Sequence, residues 1–283
     1  MAFDENAEYI IDIQNLWHVY QPMGQVALKD VTLRVKKGEF VALIGQNGSG
    51  KTTLIKHMNG LLKATKGTVS IGGELVEKQK VSDMAHFIGY VFQNPANQIF
   101  SDSVQQEVEF GPKNLGFSEE KIKELTDKAL KDVELENYRE EMPFMLGRGQ
   151  QQCLAVASIL SMNPSILIID EPTTGLDWHE CIRVLELVKQ LNEAGHTIIM
   201  TTHNMNLVAL YAKRVVVLRL GEKILDGPMK EVFCETEKLK SAYIKPPQIF
   251  QIMSLFPEIK VDDYDIDHVA DRIDEYCGKE GLK

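Results

Sequence analysis

An α/β fold built on a mainly parallel, helix-covered sheet is what the sequence predicts, and three observations predict it. Short apolar runs alternate with helix-patterned segments along most of the chain, the arrangement that parallel sheets require. One of these runs, Phe40 to Ile44, feeds directly into the glycine-rich stretch GQNGSGKTT. Another, Ile166 to Asp170, is apolar until it ends in acid, as strands buried on both faces do.

Taken in order, Tyr9 to Ile13 and Ala27 to Val35 alternate roughly as half-buried strands, and Phe40 to Ile44 is continuously apolar. Lys51 to Leu62 reads as a helix, and Gly67 to Ile71 and Phe87 to Phe92 as further strands. Ser103 with Gln106 three residues later opens one helix in a capping-box pattern, and Ser118 followed by two glutamates opens another that runs to about Val133. A third helix begins near Gly149. Ile166 to Asp170 is a buried strand, Val184, Leu185, Val188 and Leu191 mark one helix face, and Gly195 ends that helix. Thr197 to Thr201 is a strand, Asn204 to Tyr211 a short helix, and Val215 to Leu220 a strand stopped by Gly221. Beyond Pro246 and Pro247 the pattern turns short and polar, with helical signals at Ile249 to Leu255 and Asp267 to Tyr276.

The 283 residues suit one large α/β domain with an appendage, and 25% charged with 44% hydrophobic residues is ordinary globular usage. A net charge of −10 argues against a surface built for nucleic acid. Nine acids against four bases between Pro257 and Lys283 place half of that charge in the tail. Cys153, Cys181, Cys234 and Cys277 are scattered, with no CxxC pair and no histidine at zinc spacing, which points to a reducing compartment. The start lacks the basic-then-apolar order of a secretory signal, and no run of about 18 apolar residues could span a bilayer. A membrane role would therefore come through a partner.

The stretch from Gly45 to Thr53 matches GxxxxGK followed by Thr, between a buried strand and a helix, which is the context the motif needs. Gly45, Gly48 and Gly50 let the backbone curl around Gln46, Asn47 and Ser49 so that amides face phosphate at a helix N-terminus. Lys51 reaches the β- and γ-phosphates, and Thr52 presents a hydroxyl to Mg²⁺, with Thr53 completing the loop. ATP and Mg²⁺ are the cofactors this implies. At the rim of the later strand, Asp170 would hold Mg²⁺ through water and Glu171 would orient or deprotonate the attacking water.

Together with Gln93 in VFQNP, Asp177 in TTGLD and His203 in TIIMTTH, these motifs in this order make the chain from about Tyr9 to Phe233 resemble the nucleotide-binding subunit of ABC transporters. The resemblance implies a P-loop ABC ATPase domain over residues 9–240: a mainly parallel sheet core, an N-terminal antiparallel β subdomain and a helical subdomain at about 95–163. A flexible stretch at 1–8 and a small C-terminal extension at 241–283 would flank it. It implies that Gln93 contacts Mg²⁺ or the attacking water and senses a transmembrane partner, that His203 touches the γ-phosphate, and that Asp177 bridges two subunits. Asp177 also reads as the N-cap of the following helix. Tyr20 matches the aromatic that stacks on adenine, with a core or surface aromatic as the alternative.

ABC subunits pair head to tail, and an LSGGQ signature closes over the partner's nucleotide. The matching run here is Leu146 to Gln150, LGRGQ: Gly147 replaces serine, Arg148 replaces glycine, and Gly149 and Gln150 are kept. Arg148 could supply charge at the transferring phosphate, could mark a weakened signature in an asymmetric dimer, or could point to solvent while the amides of Gly147 and Gly149 bind phosphate. The segment FQNPANQIFSDSVQQEVEFGPKNLGF and the tail KPPQIFQI resemble energy-coupling factor transporters, importers of vitamins and of cobalt or nickel. The partners implied are a second ATPase subunit, alike or unlike, a transmembrane coupling protein and a substrate-binding membrane protein, with this chain peripheral on the cytoplasmic face. Ile99 and Phe100 would suit the docking groove, or equally the core. Rival readings are a non-hydrolysing regulatory partner and a soluble ABC ATPase.

Overall fold

A computed structural model describes residues 3–4, 7–256, 258–259 and 266–280. Strands β1 (Ile11–Tyr20), β2 (Gln25–Val35) and β3 (Phe40–Ile44) lead into helix α1 (Lys51–Met58); β4 (Lys66–Ile71), β5 (Glu74–Leu75), a short α2 (Val81–Met84) and β6 (Ile88–Val91) follow. Three helices come next, α3 (Val104–Asn114), α4 (Glu119–Asp132) and α5 (Arg148–Leu160). Then β7 (Ile166–Asp170), α6 (Trp178–Glu193), β8 (Thr197–Thr201), α7 (Met205–Tyr211), β9 (Arg214–Arg219) and β10 (Glu222–Pro228) complete the sheets. Four helices end the chain: α8 (Met229–Cys234), α9 (Thr236–Ser241), α10 (Gln248–Met253) and α11 (Ile266–Glu280).

Two sheets result. The first, in the order β2-β1-β4-β5, is antiparallel throughout. The second, β10-β9-β3-β8-β7-β6, is parallel from β9 to β6 and carries β10 antiparallel at one edge. Alternation along its buried strands explains their unbroken apolar sequences. Val41, Leu43, Ile166, Ile168, Ile199, Val216 and Leu218 face the antiparallel sheet and α1, whereas Ala42, Ile44, Leu167, Ile169, Ile198, Met200, Val215 and Val217 face the core on the opposite side with α5 and α6. Each strand must be apolar on both faces because both faces are covered.

Local chemistry sets the helix ends. Ser103 Oγ accepts the Gln106 amide at 3.2 Å and Ser118 Oγ accepts the Lys121 amide at 3.3 Å, as the two serines predict. The helix expected to reach Leu62 stops at Met58, because Gly60 turns left-handed (φ +76°) and the chain folds back with the Leu62 amide on the Lys56 carbonyl. Strand β1 runs on to Tyr20, beyond the expected end at Ile13, since it pairs β2 across the hairpin as well as β4. Strand β10 was not expected; it forms as the antiparallel return of β9 after Gly221.

In the expected N-terminal stretch, Phe3 stacks on Phe87 at 3.9 Å and Asp4 N–H donates to the Gly72 carbonyl, while residues 1, 2, 5 and 6 lie outside the described ones. Both helical signals of the C-terminal extension are helices, α10 and α11. Phe250 of α10 packs against Phe233 at 5.1 Å and so ties the extension to the main core. Met253, Ile259 and Val269 form a small cluster of their own.

Candidate nucleotide site

The phosphate loop is shaped by glycine. Gly45, Gly48 and Gly50 sit at φ +156°, +78° and +105°. A Cβ on Gly45 would meet the Leu218 carbonyl at 2.4 Å, and one on Gly50 the Ala27 carbonyl at 2.8 Å, so the loop is wedged between β9 and β2 as well as turned. Gly50 caps α1, and Lys51 opens it. The ammonium of Lys51 donates to the carbonyls of Gly45 at 2.7 Å and Gln46 at 3.1 Å, folding back across the loop. Burial pushes its pKa down, while Glu171 and Asp170 nearby pull it up.

A cleft of about 360 Å³ opens beside this loop. It is lined by Tyr20, Asn47, Gly48, Gly50, Lys51, Thr52 and Thr53 from one side and by Gln93, Asp170, Glu171 and His203 from the other. Gly45 lies against the Ser49 side chain within the loop, and Gln46 contributes a carbonyl to Lys51. Tyr20 stands at the lip, half-exposed, with its hydroxyl 3.2 Å from Thr53 Oγ1 and its ring edge-on to His18. Gln93 is exposed just past the end of β6.

At the end of β7 the two carboxylates are held differently. Both Asp170 oxygens are engaged, Oδ1 by the Thr201 hydroxyl at 2.5 Å and Oδ2 by the Tyr90 hydroxyl at 2.9 Å. A carboxylate so fixed is suited to hold an ion through intervening water. Glu171 turns left-handed (φ +51°), a conformation unusual for a residue with a side chain. Its amide donates to the carbonyl and the hydroxyl of Thr201, and its Oε2 accepts the His203 amide at 3.3 Å. Oε1 lies 2.9 Å from His203 Nε2, out of hydrogen-bond alignment, and is buried with no hydrogen-bond partner among the described residues. Burial raises the Glu171 pKa, and burial, then Lys51, lowers that of His203. The Glu171 carboxylate and the His203 imidazole thus meet at the wall of the cleft.

Neither Tyr90 nor Thr201 was foreseen. Thr201 left a weak signal as a hydroxyl closing an apolar strand, and Tyr90 left none. A second opening of about 700 Å³ lies on the far side of His203, where Trp178 and Met205 face Lys245 to Gln248 of the C-terminal extension.

The signature residues lie away from the cleft. Asp177 caps α6 as the sequence allows: its Oδ1 accepts the Glu180 amide at 2.8 Å, and Glu180 Oε2 returns to the Asp177 amide at 3.3 Å. At the start of α5 the amides that the third reading assigns to phosphate have partners within the chain. Gly147 N–H is taken by Gln150 Oε1 at 3.0 Å and Gly149 N–H by Glu180 Oε1 at 3.2 Å. Arg148 is exposed yet turned onto its own chain, donating to the Thr174 carbonyl at 3.3 Å.

The family described as ABC transporter matches residues 28–174, half of the chain. The chain belongs to the ABC transporter family. Among its relatives, an energy-coupling factor transporter ATP-binding protein of Methanocaldococcus jannaschii is 39% identical over 87% of this ABC chain and 89% of its own. A putative ABC transporter ATP-binding protein of Caldanaerobacter subterraneus is 47% identical over 87% of this chain and 43% of its own. With two Methanosarcina relatives covered to 36% and 38%, the chain spans about two fifths of the length of these longer proteins. Among solved ABC structures, cbiO1 from Clostridium perfringens, part of the complex cbiONQ, superposes with a TM-score of 0.77 at 36% identity over 87% of this chain and 99% of that one. A post-hydrolysis dimer of the cassette MJ0796 with ADP and phosphate gives 0.70 at 31% identity over 77% and 98%. The P-loop ABC ATPase fold, with its antiparallel sheet and mostly parallel sheet, agrees with these structures.

Proposed function

We propose that this ABC chain binds and hydrolyses ATP and powers an importer of the energy-coupling factor type from the membrane's cytoplasmic face. The observation that carries the reading is Glu171: a carboxylate at the end of β7, its Oε1 2.9 Å from His203 Nε2, lining a cleft floored by a phosphate loop. Such an oxygen is placed to accept a hydrogen bond from an attacking water. His203, its pKa lowered by burial and then by Lys51, donates to a γ-phosphate once it turns away from Glu171. Lys51 exchanges its two loop carbonyls for phosphate oxygens, and the aromatic face of Tyr20 receives adenine.

No group of three or more His, Cys, Asp or Glu able to cage a metal exists among the described residues. The donors that are present, the Thr52 hydroxyl, the Gln93 amide and the water-side face of Asp170, fit Mg²⁺, which keeps most of its shell in water and phosphate oxygen. When bound, Mg²⁺ would neutralise charge developing on the phosphates.

No helix among the described residues is long and apolar enough to cross a membrane, so coupling needs partners. A groove of about 540 Å³, lined by Phe100, Phe110, Gln98, Ile159 and Met162, suits the apolar face of a partner's helix. Ile99, by contrast, is buried in the core. The partners proposed are a second ATPase subunit, a transmembrane coupling protein and a substrate-binding membrane protein. The name of cbiO1's complex and the energy-coupling factor relatives support this assignment.

The purified chain is expected to hydrolyse ATP with Mg²⁺. Glu171→Gln is expected to lower kcat on the order of 10²–10⁴-fold and to elute as a dimer with ATP. A wild type that neither hydrolyses nor yields an ATP-driven dimer in the variant would overturn the reading in favour of a regulatory partner.

A further inference from the structure

Helix α5 begins where the partner's nucleotide should arrive, yet the amides of Gly147 and Gly149 there are already bonded within the same chain. Two of the contacts are reciprocal and each depends on a glycine. Gly149 admits the Glu180 carboxylate: a Cβ there would come within 2.5 Å of Oε1. Gly175, left-handed at φ +77°, admits Arg148: a Cβ there would come within 2.7 Å of the guanidinium carbon. One charged side chain from each helix start thus reaches over a glycine of the other segment. The signature and the loop that ends at Asp177 are strapped together by an acid in one direction and a base in the other.

The acid is the informative partner. An anion at the first turn of a helix is favoured by the exposed amides and the helix dipole, and a carboxylate and a phosphate compete for the same donors. Glu180 holds the Gly149 amide through a single oxygen at 3.2 Å, the long end of the N–H···O range. A terminal phosphate offers three oxygens and more charge, so it can replace the carboxylate. Glu180 Oε2 meanwhile accepts the Asp177 amide. Whatever moves the Glu180 carboxylate from α5 therefore acts directly on the segment that carries Asp177.

We propose that Glu180 is a placeholder anion: it occupies the phosphate-binding end of α5 in the separate subunit, and the partner's nucleotide displaces it, releasing the Asp177 segment as the dimer closes. This rests on the head-to-tail ATP dimer proposed above. Glu180 is a positioning residue, touching no substrate itself, and it would make closure respond to a nucleotide phosphate rather than to any apolar contact.

The test is an ATP titration of dimer formation by light scattering in the Glu171→Gln background, with and without Glu180→Gln. Glutamine keeps both hydrogen bonds of the α6 cap, so a role confined to capping leaves the ATP midpoint where it was. With its single acceptor oxygen on the Asp177 amide, glutamine cannot also accept the Gly149 amide, so the placeholder instead predicts a midpoint lower by about five-fold, the order of one lost hydrogen bond. Glu180→Ala, which loses the cap, must shift the midpoint in the same direction. An unmoved or raised midpoint in Glu180→Gln overturns the placeholder while leaving the dimer reading intact. Absence of any ATP-driven dimer in the Glu171→Gln parent overturns both.

Discussion

The two ends of this subunit are prepared in opposite ways. In the cleft, the groups that would meet a nucleotide are held by neighbours behind them and left open in front: Asp170 by Tyr90 and Thr201, Glu171 by Thr201 and the His203 amide. At the signature, the amides that would meet the partner's nucleotide are occupied by Gln150 and Glu180, and Arg148 lies on its own chain. The difference is electrostatic. The cleft gathers a buried cation and two buried carboxylates held from behind, whereas a bare helix start can be satisfied by one local acid. For the proposed dimer, one half of the subunit is thus ready and the other half covered.

The sharpest way to break this comparison is at Lys51. Lys51→Ala is expected to lower kcat/KM for ATP by on the order of 10²–10³-fold, the size of a lost preorganised donor, while the Glu180 contact at α5 stays formed. Hydrolysis at wild-type rate would show that the cleft is not the prepared half. A smaller effect should come from the support behind the carboxylates. Thr201→Val removes the hydroxyl that both bonds Asp170 and accepts the Glu171 amide. It should cost about 1–3 kcal/mol in urea unfolding, as a broken buried hydrogen-bond network does, and slow turnover by about ten-fold. Stability lost with turnover intact would detach Thr201 from the site.

The smallest effect lies in the pH dependence of stability. Burial raises the folded-state pKa of Glu171 above its ordinary value of 4.5, so below that value the carboxyl is neutral in both states and its burial carries no ionic penalty. As pH rises through the raised pKa the folded chain must hold a charge that the unfolded chain would solvate, and stability is lost. Glu171→Gln should therefore melt about 2 °C higher than the wild type at neutral pH, with the advantage vanishing near pH 4. An advantage that is independent of pH would place the cause in packing.

Much of the fold was legible because its signals are local. GQNGSGKTT states a tight turn between strand and helix, and the apolar runs Phe40 to Ile44 and Ile166 to Asp170 state burial on both faces. Ser103, Ser118 and Asp177 sit one residue before the helices they cap. Lys51, Thr52, Asp170 and Glu171 were legible for the same reason, each being fixed to the end of a strand or the start of a helix, whereas Tyr20, Gln93 and His203 were reached only through the family resemblance. The β9–β10 return was missed because its second strand is mostly half-exposed and lacks an apolar stripe.

By itself, then, the sequence determined the phosphate loop, the two carboxylates at the β7 rim and the parallel sheet, since these rest on turn chemistry and periodicity within a few residues, while the family rested on the resemblance that the ordered motifs carry. Only the tertiary structure decided what those groups touch. Tyr90 reaches Asp170 across 80 positions of sequence, Glu180 reaches Gly149 across 31, and Arg148 reaches the Thr174 carbonyl across 26. No spacing rule encodes such pairs, because they follow from which strands lie side by side and how helices α5 and α6 pack over them. Three readings of Arg148 were open from sequence, and none of them named the Thr174 carbonyl that its guanidinium meets in the separate chain, a contact for which Gly175 leaves room.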